Sequence, residues 1–247
     1  MEGLELFSNE NAWNPFERLG FHSDFFYINI DTVIYTWIAL LVLVLLIITC
    51  RFLIHKSTIV HYLVQSFITF FIDLVTQSLG IFNYHHFAFV FSIFTFILLC
   101  NWISLIPFIE EPTKNINTAL ALGIISFFYK EFYTIRIHGF SAYLQEFLHP
   151  IFIMFPLNVI SHFSKIISIS FRLFGNIFGG AIITQIYLNA LTISPLAQLA
   201  GLFSGINFLV LSFFIIFEGL IQAFVFTMLT VTYLSIAIQS PDEGGLE

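Results

Sequence analysis

Charge is scarce in this chain of 247 residues, because Asp, Glu, Lys and Arg together supply only 9% of it, against about a quarter in soluble domains. There is no tract of lysines and arginines of the kind that binds nucleic acid. The hydrophobic share is 58% and the mean hydropathy is +0.94. The composition therefore excludes an ordinary soluble domain and indicates a polytopic membrane protein in contact with the lipid bilayer.

Cysteine is nearly absent as well. Cys50 and Cys100 each lie at the end of an apolar run, so the sequence predicts neither a disulfide framework nor a cysteine metal site. The phosphate-loop, nucleophile-elbow and His-Glu-x-x-His motifs are also missing. We therefore expect no metal, no cofactor, no direct nucleotide binding and no catalysis by this chain alone. The acidic first residues are typical of neither a signal peptide nor a transit peptide.

Uncharged runs give the organisation. Residues 1–30 form an extramembrane segment, and residues 31–247 form a single membrane domain. Within it we predict a first membrane helix at 31–52, an interfacial amphipathic helix at 57–79, a helical hairpin at 87–129 and a long tilted helical hairpin at 147–239. The fold class is thus an all-α polytopic membrane protein with about five membrane helices plus the interfacial helix. The few lysines and arginines place the N-terminus outside and the C-terminus inside.

One isolated cation stands out. Arg172 is the only charged residue between Lys165 and Glu218. An arginine at the centre of a membrane helix costs about 3 kcal/mol or more, so it normally faces protein or water and marks an ion pathway. Three further residues would share its helix face: Gly175, Asn176 and Gly179. Glycines there would let a neighbouring helix approach closely. The alternative is a structural arginine paired with a buried carboxylate or with carbonyl groups.

Three motifs carry a resemblance to a known family. The run Ser170-Phe-Arg-Leu-Phe-Gly-Asn176 closely resembles the arginine signature of the ATP synthase subunit a family. Asn101-Trp-Ile-Ser-Leu-Ile-Pro107, followed by Asn115-Ile-Asn-Thr-Ala-Leu-Ala-Leu122, is similar to the hairpin of that family's third and fourth helices. Gln222-Ala-Phe-Val-Phe-Thr-Met-Leu-Thr230 is similar to its final helix. Lys165 occupies a position that is basic in many members. The resemblance covers roughly residues 30–239.

The resemblance implies a proton-translocating stator subunit of a rotary ATP synthase. Its partners would be the c-ring, the peripheral-stalk subunit b, other membrane-sector subunits, the bilayer and protons, without nucleic acid. Arg172 would face the ring and separate two offset aqueous half-channels. Its charge favours the ionised form of a nearby carboxyl group, and a guanidinium does not itself carry protons. Gly175 and Gly179 would pack against the ring.

The half-channels need polar lining. The expected proton pathway consists of Glu218, Gln222, Asn176, His162, His149 and Asn158. Glu218 shares a helix face with Gln222 and is the favoured relay, and its alternative is an ion pair with Arg172 or Lys165. Histidine suits a proton shuttle, so His162 is either a relay or a packing residue. Three positions lack the carboxylate or histidine that many members carry there: Asn158, Ala181 and Ile215.

Localisation and function class have alternatives. Phenylalanine supplies 34 of the 247 residues, as expected of a thymine-rich organellar genome, so we expect a subunit of the mitochondrial type in the inner membrane. The bacterial plasma membrane is the alternative. A haem-bearing subunit would use histidines such as His149 and His162 as ligands. A secondary transporter would commonly show an internal repeat, and none is visible. In both cases Arg172 would be a structural buried arginine.

Overall fold

The computed structural model describes residues 12–13, 28–54, 56–106, 109–148, 152–192 and 206–238. Apart from one pair of two-residue strands, the regular structure in these ranges is helical. The strands, β1 (Ala12–Trp13) and β2 (Ile28–Asn29), pair antiparallel just before the first helix. The pairing is too short to form a sheet layer.

The same ranges contain seven α-helices: α1 (Ile30–Ile54), α2 (Thr58–Leu79), α3 (Tyr84–Trp102), α4 (Ile116–His138), α5 (Phe140–Leu148), α6 (Phe155–Thr192) and α7 (Ile206–Ile238). Short 3₁₀ turns occupy Ile103–Leu105, Pro112–Lys114 and Phe152–Met154. Five of the helices, α1, α2, α3, α6 and α7, are long and apolar enough to cross a membrane. The predicted all-α polytopic fold is therefore confirmed.

Polar residues mark the helix ends. The side chains of Asn83 and Asn115 accept hydrogen bonds from the backbone N–H groups of His85 and Asn117, and so cap the first turns of α3 and α4. Gly80 ends α2 with φ of 74°, a left-handed conformation that glycine adopts without steric cost. This turn reverses the chain between α2 and α3.

Antiparallel pairs of helices build the core. Helix α3 packs along α7, and α4 packs along α6. At one level the side chain of Asn101 in α3 donates to the carbonyl of Gly219 in α7 over 3.4 Å. In the other pair, Gly123 of α4 lies so close to Ser170 of α6 that a Cβ atom at Gly123 would overlap the serine hydroxyl. These contacts fix the register of both pairs.

Contacts between helix ends define two sides of the bundle. Asn115, before α4, donates to the hydroxyl of Thr32 at the start of α1 over 3.3 Å. At the other side, His138 at the end of α4 lies 3.1 Å from the carbonyl oxygen of Ala237, near the end of α7. The orientation expected from the charges makes the first side the outer side and the second the inner side.

Helix α2 follows α1 directly and is joined to α3 by the short turn at Gly80. Its middle packs against the middle of α3, where the rings of Phe67 and Phe71 contact those of Phe91 and Phe94. The bounds of α2 agree with the helix expected at 57–79. Its interfacial placement stays a prediction.

The observed helix bounds differ from the sequence expectation in two places. Helix α4 continues past residue 129 to His138, because Lys130 and Glu131 neutralise each other over 2.7 Å instead of marking the membrane surface. The segment expected as one hairpin at 147–239 begins within α5, which is separate from α6. Residues 193–205, between α6 and α7, lie outside the described ranges.

Candidate functional site

Arg172 lies on an exposed face of α6. Gly175 and Asn176 are exposed on the same face, and a Cβ atom at Gly175 or Gly179 would meet no atom of the described residues within 4 Å. Among the described residues no carboxylate forms an ion pair with Arg172. The alternative of a buried ion pair is therefore not observed in that part of the chain. On this face of α6, one cation and two glycines without described neighbours point away from the rest of the subunit.

A hydrogen bond between two amide side chains links this face to the neighbouring helix. The side-chain nitrogen of Asn176 donates to Oε1 of Gln222 on α7, and Gln222 is only 1% exposed. A buried amide requires such a partner, because an unpaired one costs about 1–3 kcal/mol. Both residues were expected in the proton pathway, and the structure brings them together one helical turn from Arg172.

Glu218 lies one turn before Gln222 on α7 and points towards α6. A Cβ atom at Gly180 would overlap its carboxylate, so the glycine makes room for the acid. Within the described ranges Glu218 forms no ion pair, which argues against the expected alternative of a pair with Arg172 or Lys165. It lines a cavity of about 10 Å³, roughly the space of one water molecule, together with Asn101, Glu111, Ile177, Ile215 and Gly219. We call this space the outer cavity.

The sequence interpretation missed Glu111. It lies in the connection between α3 and α4, where Glu110 and Lys114 give the appearance of an ordinary surface loop. Ser104 donates to its Oε1 over 2.7 Å. Burial raises the pKa of the Glu111 carboxyl, against the lowering effects of the Ser104 hydrogen bond and the Lys114 charge. Two carboxylates from different elements therefore share the outer cavity.

A second cavity, of about 120 Å³, lies towards the inner side of the bundle. Its polar lining comes from Ser126, Lys130 and Thr134 of α4, from His162 and Lys165 of α6, and from Thr230 and Tyr233 of α7. The buried hydroxyl of Ser126 has no hydrogen-bond partner in the described structure. A roomy space lined by polar groups, of which the Ser126 hydroxyl lacks a partner in the described structure, favours bound water. We call this space the inner cavity.

Three ionisable side chains cluster beside the inner cavity. Glu131 is 6% exposed, and its Oε1 accepts from Lys130 over 2.7 Å and lies 3.0 Å from Nδ1 of His162. The second carboxylate oxygen, Oε2, is buried and has no partner among the described residues. Phe147 covers the imidazole, with 4.7 Å between ring centroids. We call this group the inner triad.

The remaining expected residues fall as follows. Asn158 lies one turn before His162 on α6, and its side chain donates to the carbonyl of Phe147 over 3.0 Å. The carboxylate that contacts the His162 imidazole is Glu131 of α4. Ile215 lines the outer cavity. His149 lies outside the described residues, and the same is true of the side chain of Ala181.

The two cavities lie on opposite sides of Arg172 along α6. His162 precedes Arg172 by ten residues and Gly180 follows it by eight, which at a rise of about 1.5 Å per residue places them about 15 Å and 12 Å away. Because α7 runs antiparallel to α6, Glu218 lies level with Gly180 and Tyr233 lies level with the inner cavity. Arg172 therefore lies between the two cavities along α6.

A sequence profile of the family described as ATP synthase A chain matches residues 33–235. The chain belongs to this family. It is 34% identical over 217 residues to ATP synthase subunit a of Helicobacter hepaticus, covering 83% of this chain and 89% of the relative. The subunits a of Helicobacter acinonychis and Helicobacter pylori are 39% identical over 158 residues, covering 62% of this chain and 64% of each relative.

Membership of the ATP synthase A chain family confirms the resemblance first seen in the arginine and glutamine motifs. It makes the chain a multi-pass, proton-translocating membrane subunit, and it favours this role over the haem-bearing and transporter alternatives. The relatives are bacterial. They give no support to the mitochondrial type or to the mitochondrial inner membrane, which were expected from the phenylalanine content.

Proposed function

We propose that this chain is the stator subunit that carries protons to and from a ring of c subunits in the ATP synthase of a bacterial plasma membrane. Arg172 faces the ring and separates two offset aqueous half-channels. The observation that carries the proposal is the position of Arg172, unpaired within the described structure, between the outer and inner cavities. The bacterial relatives support the choice of membrane.

The face around Arg172 has the properties that a moving partner requires. It exposes one cation and two glycines without neighbours among the described residues. Further along the same face Ile183 and Ile186 are 56% and 63% exposed. Small residues permit the close approach of another helix, and apolar side chains suit contact with membrane helices. A ring subunit can therefore pass near this surface with its carboxyl group within reach of Arg172.

The outer half-channel leads through Glu111 and Glu218. Both carboxylates line one cavity with space for about one water molecule, so a proton has acceptors at successive depths. Gln222 and Asn176 follow on the route towards the ring-facing side of α6. The inner half-channel is the inner cavity, where His162 is the titratable group expected from the sequence. His149 and Asn158 remain members of the proposed pathway on sequence grounds alone.

The charge of Arg172 determines where a ring carboxyl group loses and gains its proton. A ring carboxyl group that arrives neutral from the lipid is favoured as an anion near the guanidinium, so it releases its proton into one cavity. After it has passed Arg172, it takes up a new proton from the second cavity. The guanidinium keeps its own proton and blocks a direct route between the cavities. A membrane potential contributes about 2.3 kcal/mol per proton for each 100 mV and so biases the direction of rotation.

The expected partners follow from this role. They are the c-ring, the peripheral-stalk subunit b, other subunits of the membrane sector, the surrounding lipid and protons. The nucleotide chemistry belongs to other subunits, because this chain carries no phosphate-binding loop. The chain is therefore not catalytic alone.

The test compares Arg172→Ala with the unaltered chain and with Arg136→Ala, an exposed arginine at the inner end of α4. ATP synthesis driven by a proton gradient and proton pumping driven by ATP are measured in membranes that contain equal amounts of assembled complex. We expect Arg172→Ala to abolish both activities and Arg136→Ala to retain both. Coupled synthesis in the Arg172→Ala membranes would contradict the proposal.

A further inference from the structure

We propose that Glu131 is a proton-relay residue of the inner half-channel, acting as a pair with His162, and that Lys130 is its positioning residue. This inference rests on the function proposed above and assigns a residue that the motifs do not indicate. The carboxylate comes from α4, whereas the arginine and the histidine are on α6. The juxtaposition of the two helices therefore creates the pair.

The geometry of the pair suits proton transfer. Nδ1 of His162 lies 3.0 Å from Oε1 of Glu131, within the range in which a proton passes between a base and an acid. The second oxygen of Glu131 is buried and unpartnered in the described structure, so the carboxylate keeps an acceptor site for a further proton or a water molecule. His162 itself lines the inner cavity.

The register of α4 against α6 makes this contact specific. Gly123 and Ser170 pack in direct contact, and Glu131 and His162 meet about two turns further along the same antiparallel pair. A larger residue at Gly123 would separate the helices at the level between Arg172 and the inner triad. The close packing of α4 against α6 thus brings the Glu131 carboxylate to the His162 imidazole.

Each transfer balances. In the resting form the Nδ1–H of neutral His162 donates to the ionised Glu131. A proton that reaches Nε2 from water in the inner cavity produces an imidazolium, whose Nδ1 proton then moves to Oε1. The neutral carboxyl releases this proton to water on the inner side and is again ionised. Exchange of the imidazole proton between Nε2 and Nδ1 through water restores the first state, so one proton enters and one leaves.

The neighbouring charges explain why Lys130 belongs to the arrangement. Lys130 is 8% exposed and holds Oε1 from the same helix, so Glu131 is fixed in orientation and its charge is balanced. Lys165 of α6 and Tyr233 of α7 also line the cavity.

The experiment uses the assembled complex in membrane vesicles. Passive proton conduction after removal of the catalytic head and ATP-driven pumping are measured for Glu131→Gln, which keeps the size of the side chain. Asp73→Asn is the matched control, because Asp73 is an exposed carboxylate on α2. We expect Glu131→Gln to lower both rates by about tenfold or more, as for the loss of a positioned acid or base, and Asp73→Asn to leave both unchanged.

A rescue variant separates a relay from a structural role. Asn158 lies one turn from His162 on α6, so Asn158→Glu offers a carboxylate to the same imidazole from the other side. In the Glu131→Gln background we expect this change to restore most of the lost conduction. Unchanged conduction in Glu131→Gln, or a loss that Asn158→Glu does not restore, would overturn the proposal.

Assembly and the broader function are controlled separately. If the lone change leaves Lys130 buried without a carboxylate and prevents assembly, the rates and the rescue are measured with Lys130→Met combined with Glu131→Gln. Arg172→Ala serves in the same membranes as the test of the proposed function. Loss of coupled synthesis in Arg172→Ala together with full conduction in Glu131→Gln would reject the relay alone.

Discussion

Replacement of Gly180 by alanine is expected to impair proton transport while leaving the subunit folded. The added methyl group would occupy the volume of the Glu218 carboxylate, which is the far end of a flexible side chain. Rotating that side chain into a strained position costs about 0.5–1.5 kcal/mol. Alanine in place of glycine in a helix interior gains about 1 kcal/mol. The two effects nearly cancel, so stability changes by less than about 1 kcal/mol while the carboxylate leaves the outer cavity.

The assay for Gly180→Ala is gradient-driven ATP synthesis in vesicles with matched amounts of assembled complex. A positioned acid or base contributes about 10²–10⁴-fold to proton transfer, so we expect the rate to fall by about tenfold or more. Adding Glu218→Asp shortens the acid by one bond, about 1.5 Å, and is expected to recover part of the rate. An unimpaired Gly180→Ala enzyme would refute the role of Glu218 in the pathway, and a double variant no better than the single one would assign the defect to packing.

Three further predictions follow from single contacts. Burial holds the pKa of Glu111 above its usual 4.5, so its folded form keeps a proton that the unfolded form loses, and stability falls as pH rises above that value. In thermal unfolding of the complex at several pH values, the unfolding temperature is expected to fall less with rising pH for Glu111→Gln than for the matched variant Glu110→Gln. Equal dependence of the unfolding temperature on pH in the two variants would contradict this. Gly123→Ala forces a methyl group onto the hydroxyl of Ser170 and is expected to destabilise the subunit by about 1–3 kcal/mol, seen as a lower yield of complex. A methyl group in Gly175→Ala meets no atom of the described residues within 4 Å, so the change is expected to leave the stability of the subunit unchanged or higher. It is expected to slow ATP-driven pumping, because the proposed function puts this methyl group against the ring, and normal pumping would place the ring elsewhere.

Much of the fold was predictable, because the positions of charged residues and the lengths of apolar runs can be read from the sequence. The uncharged run before Arg51 predicted the first membrane helix, which is observed as α1. The polar residues of α2 indicated an interfacial helix at 57–79; the observed bounds agree with it, and its interfacial placement stays a prediction. The end of α4 was not predictable. In the sequence Lys130 looks like a surface charge, and only the fold shows that it is buried and paired with Glu131.

Some residues of the candidate site were likewise predictable from the sequence, and others were not. Helical spacing was enough to place Gly175 and Asn176 on the face of Arg172, because those residues belong to one helix. Glu111 and Glu131 could not be found in this manner. Glu111 becomes relevant only when the α3–α4 connection folds over the start of α7, and Glu131 only through the register of α4 against α6. Long-range juxtaposition of this kind leaves no periodic signal in the sequence.

The proposed separation of two half-channels by Arg172 is tested most directly by passive proton conduction through the membrane sector without its catalytic head. Arg172→Ala, Glu218→Gln and the unaltered chain are compared at equal amounts of assembled complex. If the guanidinium is the barrier between the cavities, its loss leaves conduction at or above the unaltered rate while ATP-driven pumping disappears, and Glu218→Gln loses both. Conduction that is abolished in Arg172→Ala as fully as in Glu218→Gln would contradict the barrier role.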